Sequence, residues 1–371
     1  MGVVSLSAVK IPEKYQVSTF FTFFLVHTMQ FGIGVLGFQR IIAVEAGYDA
    51  WISVIVAGLL IHPILWMAFK MMSIAEGDIV SIHQYAFGNT VGKLLTIPFI
   101  VYCILTSITT LRTFIEVVQV WMFQDLSTFW FGLAFLLLTV YIIYGGFRTV
   151  TGIVFFSVIL PSYILVMFLY TIPFSDFTNL LPILDHSVKD LAKASTKMSL
   201  TYIGWELILV YLPFIKNGQQ SQKFAHWGLL LTTFIYTYIT IISFAFFSQG
   251  QLERTVWATL SMFKIVEMPF VERFEYVGIA TWGLIILPNI CLGIWAATRC
   301  LKRAFQVRQK NGVIGVSLVC LIVSVLLTGR GKVDMINTVT GQVGLWFNFA
   351  YLPLLFLAVL VARKVKKRAK T

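Results

Sequence analysis

Apolar runs of about twenty residues recur from near the N-terminus almost to the C-terminus. This recurrence constrains the chain more than any single motif does. A bilayer core of ~30 Å asks for about that length of helix, and within lipid only helices and closed barrels satisfy every backbone group. Ten runs are read, at roughly 17–43, 50–72, 95–123, 128–145, 150–172, 195–215, 225–248, 275–299, 312–328 and 342–362. Only 12% of residues are charged and 58% are hydrophobic, against ~25% charged in soluble domains. A soluble enzyme, a nucleic-acid-binding module and a disordered chain are thereby excluded. The first 16 residues carry no cleavable-signal pattern, so the first run is expected to be retained as a helix. The expectation is an all-α integral membrane protein, a single transmembrane domain over 1–371, with helices 1–5 at about 17–172 and helices 6–10 at about 195–362.

The net charge of +12 belongs to the membrane topology. With ten crossings, 18 of the 28 Lys and Arg residues fall on one side, from Lys10 and Lys14 to the C-terminal cluster Arg363–Lys370, and nine on the other. Acidic residues run the opposite way. Basic residues collect on the cytoplasmic side, so both termini are expected there. The outer segments 173–194 and 249–274 and the inner segment 74–93 mix apolar and charged residues. They predict short amphipathic helices on the membrane faces. Cys103, Cys291, Cys300 and Cys320 have neither metal-type spacing nor the pattern of a disulfide framework. No cofactor or metal site is expected.

The interior polar groups carry the functional signal. The first span holds Gly32-Ile33-Gly34, and at ~40 Å as one helix it is too long for a straight crossing. The sixth span holds Tyr202-Ile203-Gly204-Trp205-Glu206. Ten spans split into two fives, and each five opens with a glycine interruption. Paired interruptions of this kind mark a transporter site between inverted repeats, because unwound backbone in lipid has to line a cavity or be covered by protein. The helix N-termini that such breaks leave behind suit a carboxylate. Close helix packing is the alternative use of these glycines.

Tyr102 and Thr106 share a face near the middle of span three, and Asn289 follows Pro288 near the middle of span eight. Gly32, Gly34, Tyr102, Thr106, Tyr202, Gly204, Glu206 and Asn289 therefore form the candidate ligand site at one depth. Three roles are open to Glu206: a proton carrier, a ligand for a substrate amine, and a brace for the broken backbone. A carboxylate at the centre of a span has to face the bundle interior, since lipid exposure costs ~2.5–3.5 kcal/mol. Arg112 and Glu116, four apart near the outer end of span three, read as an interfacial ion pair, with an outer gate as the alternative. His27 and His62 read as packed core groups. No catalytic motif is present, and the chain is not read as an enzyme.

The strings FGIGVLGFQR in span one and YIGWELILVYLPF in span six, with ERFE at Glu272–Glu275, resemble the spore-germination permease family. These are the GerAB-type B subunits of nutrient germinant receptors. The resemblance covers essentially the whole chain. It implies the LeuT/APC-like five-plus-five inverted-repeat fold of the amino acid–polyamine–organocation superfamily, with helices 1 and 6 broken. It further implies a nutrient ligand, an amino acid above all, bound at the bilayer midplane, and A-type and C-type receptor subunits as partners in the spore inner membrane or bacterial plasma membrane. No nucleic acid is implied. A secondary amino-acid permease and a scaffold subunit with a vestigial pocket are the alternatives. Family members often carry a proline after the span-one break, where this chain has Gln39 before Arg40. Span five holds no lysine that would act as a proton switch.

Overall fold

A computed structural model describes residues 11–266 and 272–368. Lys10 and Lys370 of the charge asymmetry, and 267–271 of the second outer segment, lie outside the described residues. Within them the chain is helical, and its one β contact is an isolated parallel bridge between Val17 and Ile215. That bridge ties the chain's entry into the first span to the end of the sixth.

The first span is α1 (Phe21–Gln30), a 3₁₀ turn at Ile33–Leu36, and α2 (Phe38–Ala46). It is broken as its length requires. The second is α3 (Ala50–Ala75), followed by the short α4 (Ile79–Phe87), whose N-cap Asp78 accepts from the Ser81 N–H. α5 (Asn89–Trp121) and α6 (Thr128–Tyr144) follow. The fifth span is irregular: α7 (Phe147–Ile159), a 3₁₀ turn containing Pro161, α8 (Tyr163–Met167), and a further 3₁₀ stretch to Phe174. α9 (Val188–Lys197) forms a short helix against α2 and α3.

The sixth span is built from fragments: α10 (Ser199–Tyr202), a 3₁₀ turn at Trp205–Leu207, and α11 (Ile208–Tyr211). α12 (Gln222–Phe246) is continuous, and α13 (Gln249–Arg254) and α14 (Ala258–Phe263) are the short helices expected in the second outer segment. α15 (Phe274–Phe305), α16 (Gln309–Leu326), α17 (Arg330–Trp346), a π turn at Phe347–Tyr351 and α18 (Leu352–Arg368) complete the order.

Among the described residues, seven segments are long and apolar enough to cross a bilayer, and α6 and the α10–Phe214 stretch are shorter apolar ones. The broken first and sixth spans do not qualify as continuous helices. The last helical segment runs over Arg330–Arg368 where hydropathy marks only 342–362. Hydropathy registers the residues that meet lipid, whereas backbone hydrogen bonding continues through the polar turns beyond it. α15 lies along α5, and α1 along α12, which brings the two broken spans to the centre. The core there is aromatic and dense, with Trp205, Trp282, Tyr211 and Tyr236 almost fully buried.

Candidate ligand site at the paired helix breaks

α1 stops at Phe31, and Gly32 leads with a non-helical backbone into the 3₁₀ turn. A Cβ on Gly32 would strike the Asn289 amide. In the sixth span Ile203 is extended and Gly204 has φ +106°, in the left-handed region that glycine alone tolerates easily. A Cβ on Gly204 would also sit 2.7 Å from the Met29 carbonyl oxygen. Conformation and close approach both demand glycine at that position. Gly34 faces Thr201, which would stand 3.1 Å from an added Cβ. The two breaks are in direct contact.

Gly32, Gly34, Thr106, Gly204 and Asn289 line one small cavity. Four spans therefore bring five of the eight expected site residues together. With its amide oriented so that Nδ2 donates to the carbonyls of Thr28 (3.0 Å) and Ile285 (3.2 Å), Asn289 turns Oδ1 toward Gly32. The cavity measures about 40 Å³, room for a few waters and well short of the ~300 Å³ at which ligand pockets begin. The breaks are closed around the site in this structure.

The other three expected residues lie elsewhere. Glu206 is fully buried behind Gly204. Its two carboxylate oxygens accept the Gly204 N–H at 2.8 and 2.9 Å, and Tyr102 donates its hydroxyl to the same carboxylate. Tyr202 donates to the Val54 carbonyl at 3.1 Å and lines a second, apolar cavity of about 460 Å³ between α3, α9 and the last helical segment. Leu60 and Trp346 of that cavity are exposed on the outside of the bundle, so it is a lipid-facing crevice.

Several polar groups at the centre escaped the sequence reading. Gln30 donates from Nε2 to the Tyr202 carbonyl (2.8 Å) and crosses from one break to the other. Its Oε1 is buried with no partner among the described residues, and the residue lines the central cavity. A glutamine two residues before Gly32 in an apolar span was the available signal. Thr109 and Thr340 meet across α5 and α17 at 2.6 Å, above Thr106. Asn348 sits in the π turn beside Gly344, with its Oδ1 unpartnered among the described residues. Nothing in the sequence marks that turn.

One expectation is corrected. Arg112 does not pair with Glu116. Its Nε donates to the Leu327 carbonyl at 2.6 Å, at the C-terminal end of α16, and Glu116 is held instead by Arg330 at 3.1 Å. A basic residue preceding an acidic one by four is the weaker order for a helix pair, and a helix C-terminus offers a competing negative end. His27 lies in the interior as expected, bonded to Thr232 (2.8 Å), whereas His62 is only half-buried and bonds His226 (2.7 Å).

Broken first and sixth spans around a central cavity define a transporter-type membrane fold, and solved structures agree. The chain resembles MhsT in complex with L-phenylalanine, with TM-score 0.64 at 15% identity over 94% of this chain and 99% of that one. It also resembles the nucleobase-cation-symport-1 family transporter Mhp1 with bromovinylhydantoin bound, with TM-score 0.63 at 13% identity over 96% and 81%. The chain belongs to the spore germination protein (spore permease) family, whose profile matches residues 16–333. It is 42% identical to the spore germination protein GerQB of Bacillus cereus over 97% of this chain and 99% of that protein. It is 21% identical to the spore germination protein A2 of Bacillus subtilis (strain 168) over 94% and 97%.

Proposed function

We propose that the chain is the transporter-like subunit of a nutrient germinant receptor, and that it binds a small nutrient, an amino acid first of all, at the paired breaks. One observation supports this above others: Gly32, Gly34, Thr106, Gly204 and Asn289, far apart in sequence, converge from four spans on a single cavity. The Gln30 and Asn289 oxygens are acceptors suited to a ligand ammonium. Binding requires the two halves to separate, because about 40 Å³ does not hold an amino acid. That separation is the signal passed to A-type and C-type partner subunits. The chain works as a multi-pass protein of the spore inner membrane with both termini cytoplasmic, and it performs no catalysis.

The fold likeness to transporters favours a second reading, a secondary amino-acid permease. Purified protein in liposomes, tested with labelled amino acids, separates the two. Saturable binding without accumulation inside the vesicles is the expected result. Thr106→Leu, which narrows the cavity without touching either break, is expected to weaken binding at least tenfold. Accumulation would assign a permease. Neither binding nor uptake would leave a scaffold subunit.

A further inference from the structure

A third cavity, separate from the breaks, lies between α1, the fifth span, α12 and α15. It measures about 170 Å³. An apolar protein cavity of ~150 Å³ accommodates benzene. Phe31, Ile164, Leu231 and Ile285 form apolar walls, and none of the lining residues is acidic or basic apart from His27. His27 itself is 2% exposed.

The hydrogen-bond geometry fixes what His27 offers. Its Nδ1 lies 2.8 Å from Thr232 Oγ1. The Thr232 hydroxyl spends its one proton on the Gly228 carbonyl, 2.9 Å away. It therefore accepts from the imidazole, and Nδ1 carries the hydrogen. The other nitrogen of the neutral ring, Nε2, is then a bare acceptor. No hydrogen bond to it is formed among the described residues. Ser157 and Ser162, on the same cavity, donate to the carbonyls of Val154 (2.7 Å) and Ile159 (2.8 Å), so their protons are spent and their oxygens keep only lone pairs. His27 Nε2 and the two serine oxygens ask for a donor, while the Thr28 hydroxyl on the same cavity is unpartnered among the described residues and can donate or accept.

The route in is from the bilayer. α7 ends at Ile159, Pro161 interrupts the fifth span, and Ser162 is exposed on the outer surface of the bundle. We propose that this cavity is a binding site for a small bilayer-soluble molecule with an apolar, ring-sized body and one hydroxyl, an alcohol or phenol, whose O–H donates to His27 Nε2. The occupant lies against Phe31, which packs on Trp282, and the Trp282 indole N–H donates to the Gly32 carbonyl at 3.2 Å. The site thus stands one side chain away from the first break.

The test uses the full chain in phospholipid nanodiscs, with phenol as probe and benzene as the isostere lacking the donor. One saturable equivalent of phenol above that taken up by empty nanodiscs is expected. Benzene should compete about tenfold more weakly, the worth of one hydrogen bond. Leu231→Phe, which fills the cavity from α12, should remove the saturable component. His27→Leu should bring phenol and benzene to equal affinity. If His27→Leu does not accumulate, the phenol-to-benzene ratio of the unaltered chain together with Leu231→Phe decides the matter. Absence of a saturable component, equal affinities in the unaltered chain, or undiminished binding to Leu231→Phe would each overturn the proposal.

Discussion

Glu206 shows how one residue reconciles a broken helix with lipid. The break at Gly204 frees a backbone N–H with no water to satisfy it, and the carboxylate takes that N–H on both oxygens while Tyr102 closes the other side. This geometry separates two roles that composition alone leaves equal. Gln keeps the acceptor oxygen, whereas Ala removes it and leaves a buried donor unmet at a cost of ~1–3 kcal/mol. If Glu206 works as a brace, Glu206→Gln should leave the nutrient dose–response nearly unshifted, and Glu206→Ala should lower protein abundance in the same spores. A Gln variant with normal abundance and a response displaced tenfold or more would instead place the charge in ligand or proton binding. Gly204 is constrained more tightly still. With φ +106° and the Met29 carbonyl at 2.7 Å from any Cβ, even Gly204→Ala is expected to reduce abundance, whereas Gly152, with open space around an added Cβ, should accept Ala freely.

At the scale of elements, the outer halves of α5 and α17 are joined by a ladder: Thr109 to Thr340 (2.6 Å), Thr113 to Asn337 (3.0 Å) and Glu116 to Arg330 (3.1 Å). Arg330 also lies over the Trp257 ring, just before α14. Glu116 is buried and its Oε2 has no partner among the described residues. Removing Arg330 therefore strands a buried charge. Arg330→Met should destabilise the protein by about 1–3 kcal/mol in thermal unfolding in detergent, and adding Glu116→Gln should restore at least half of that loss. Strictly additive losses would show that the two side chains do not act as a pair. On the opposite face, α4 is fastened by His83, which bonds Thr96 (3.0 Å) and Tyr351 (2.7 Å). Burial lowers the His83 pKa to about 4. The folded state thus favours the neutral ring, so this contribution is intact above the ordinary histidine value of ~6.5 and is lost as pH falls from there toward 4. Hydrogen exchange in α4 is expected to accelerate across that window in the native chain and not in His83→Gln.

For the whole molecule, the 18-to-nine distribution of basic residues predicts both termini on the cytoplasmic side. Single cysteines placed at Lys366 and Lys310, in a background with the four native thiols replaced, should react with an impermeant reagent only from the cytoplasmic side. A cysteine within 249–263 should react only from the other. Labelling of 249–263 from the cytoplasmic side would reverse the orientation. Under the proposed function, closure of the central cavity to about 40 Å³ makes binding a two-state problem, in which a ligand stabilises an open arrangement by its differential affinity alone.

The sequence by itself determined that the chain is a helical membrane protein, that its first and sixth spans break at Gly32 and Gly204, and which family it belongs to. These properties are local: a bilayer demands apolar runs, and a break demands glycine wherever φ is positive or another backbone approaches closely. That five of the eight residues expected at the site line one cavity has the same local origin, since polar groups at mid-span have nowhere to face but the interior. Only the tertiary structure decided which interior. It sent Tyr202 to a lipid-facing crevice and turned Glu206 onto its own helix break. It gave Glu116 to Arg330 on a distant helix, and it put Gln30 between the two breaks and His27 beside a separate cavity. Depth along a helix follows from counting residues, but azimuth relative to partners hundreds of residues away follows from packing, which a linear pattern does not encode.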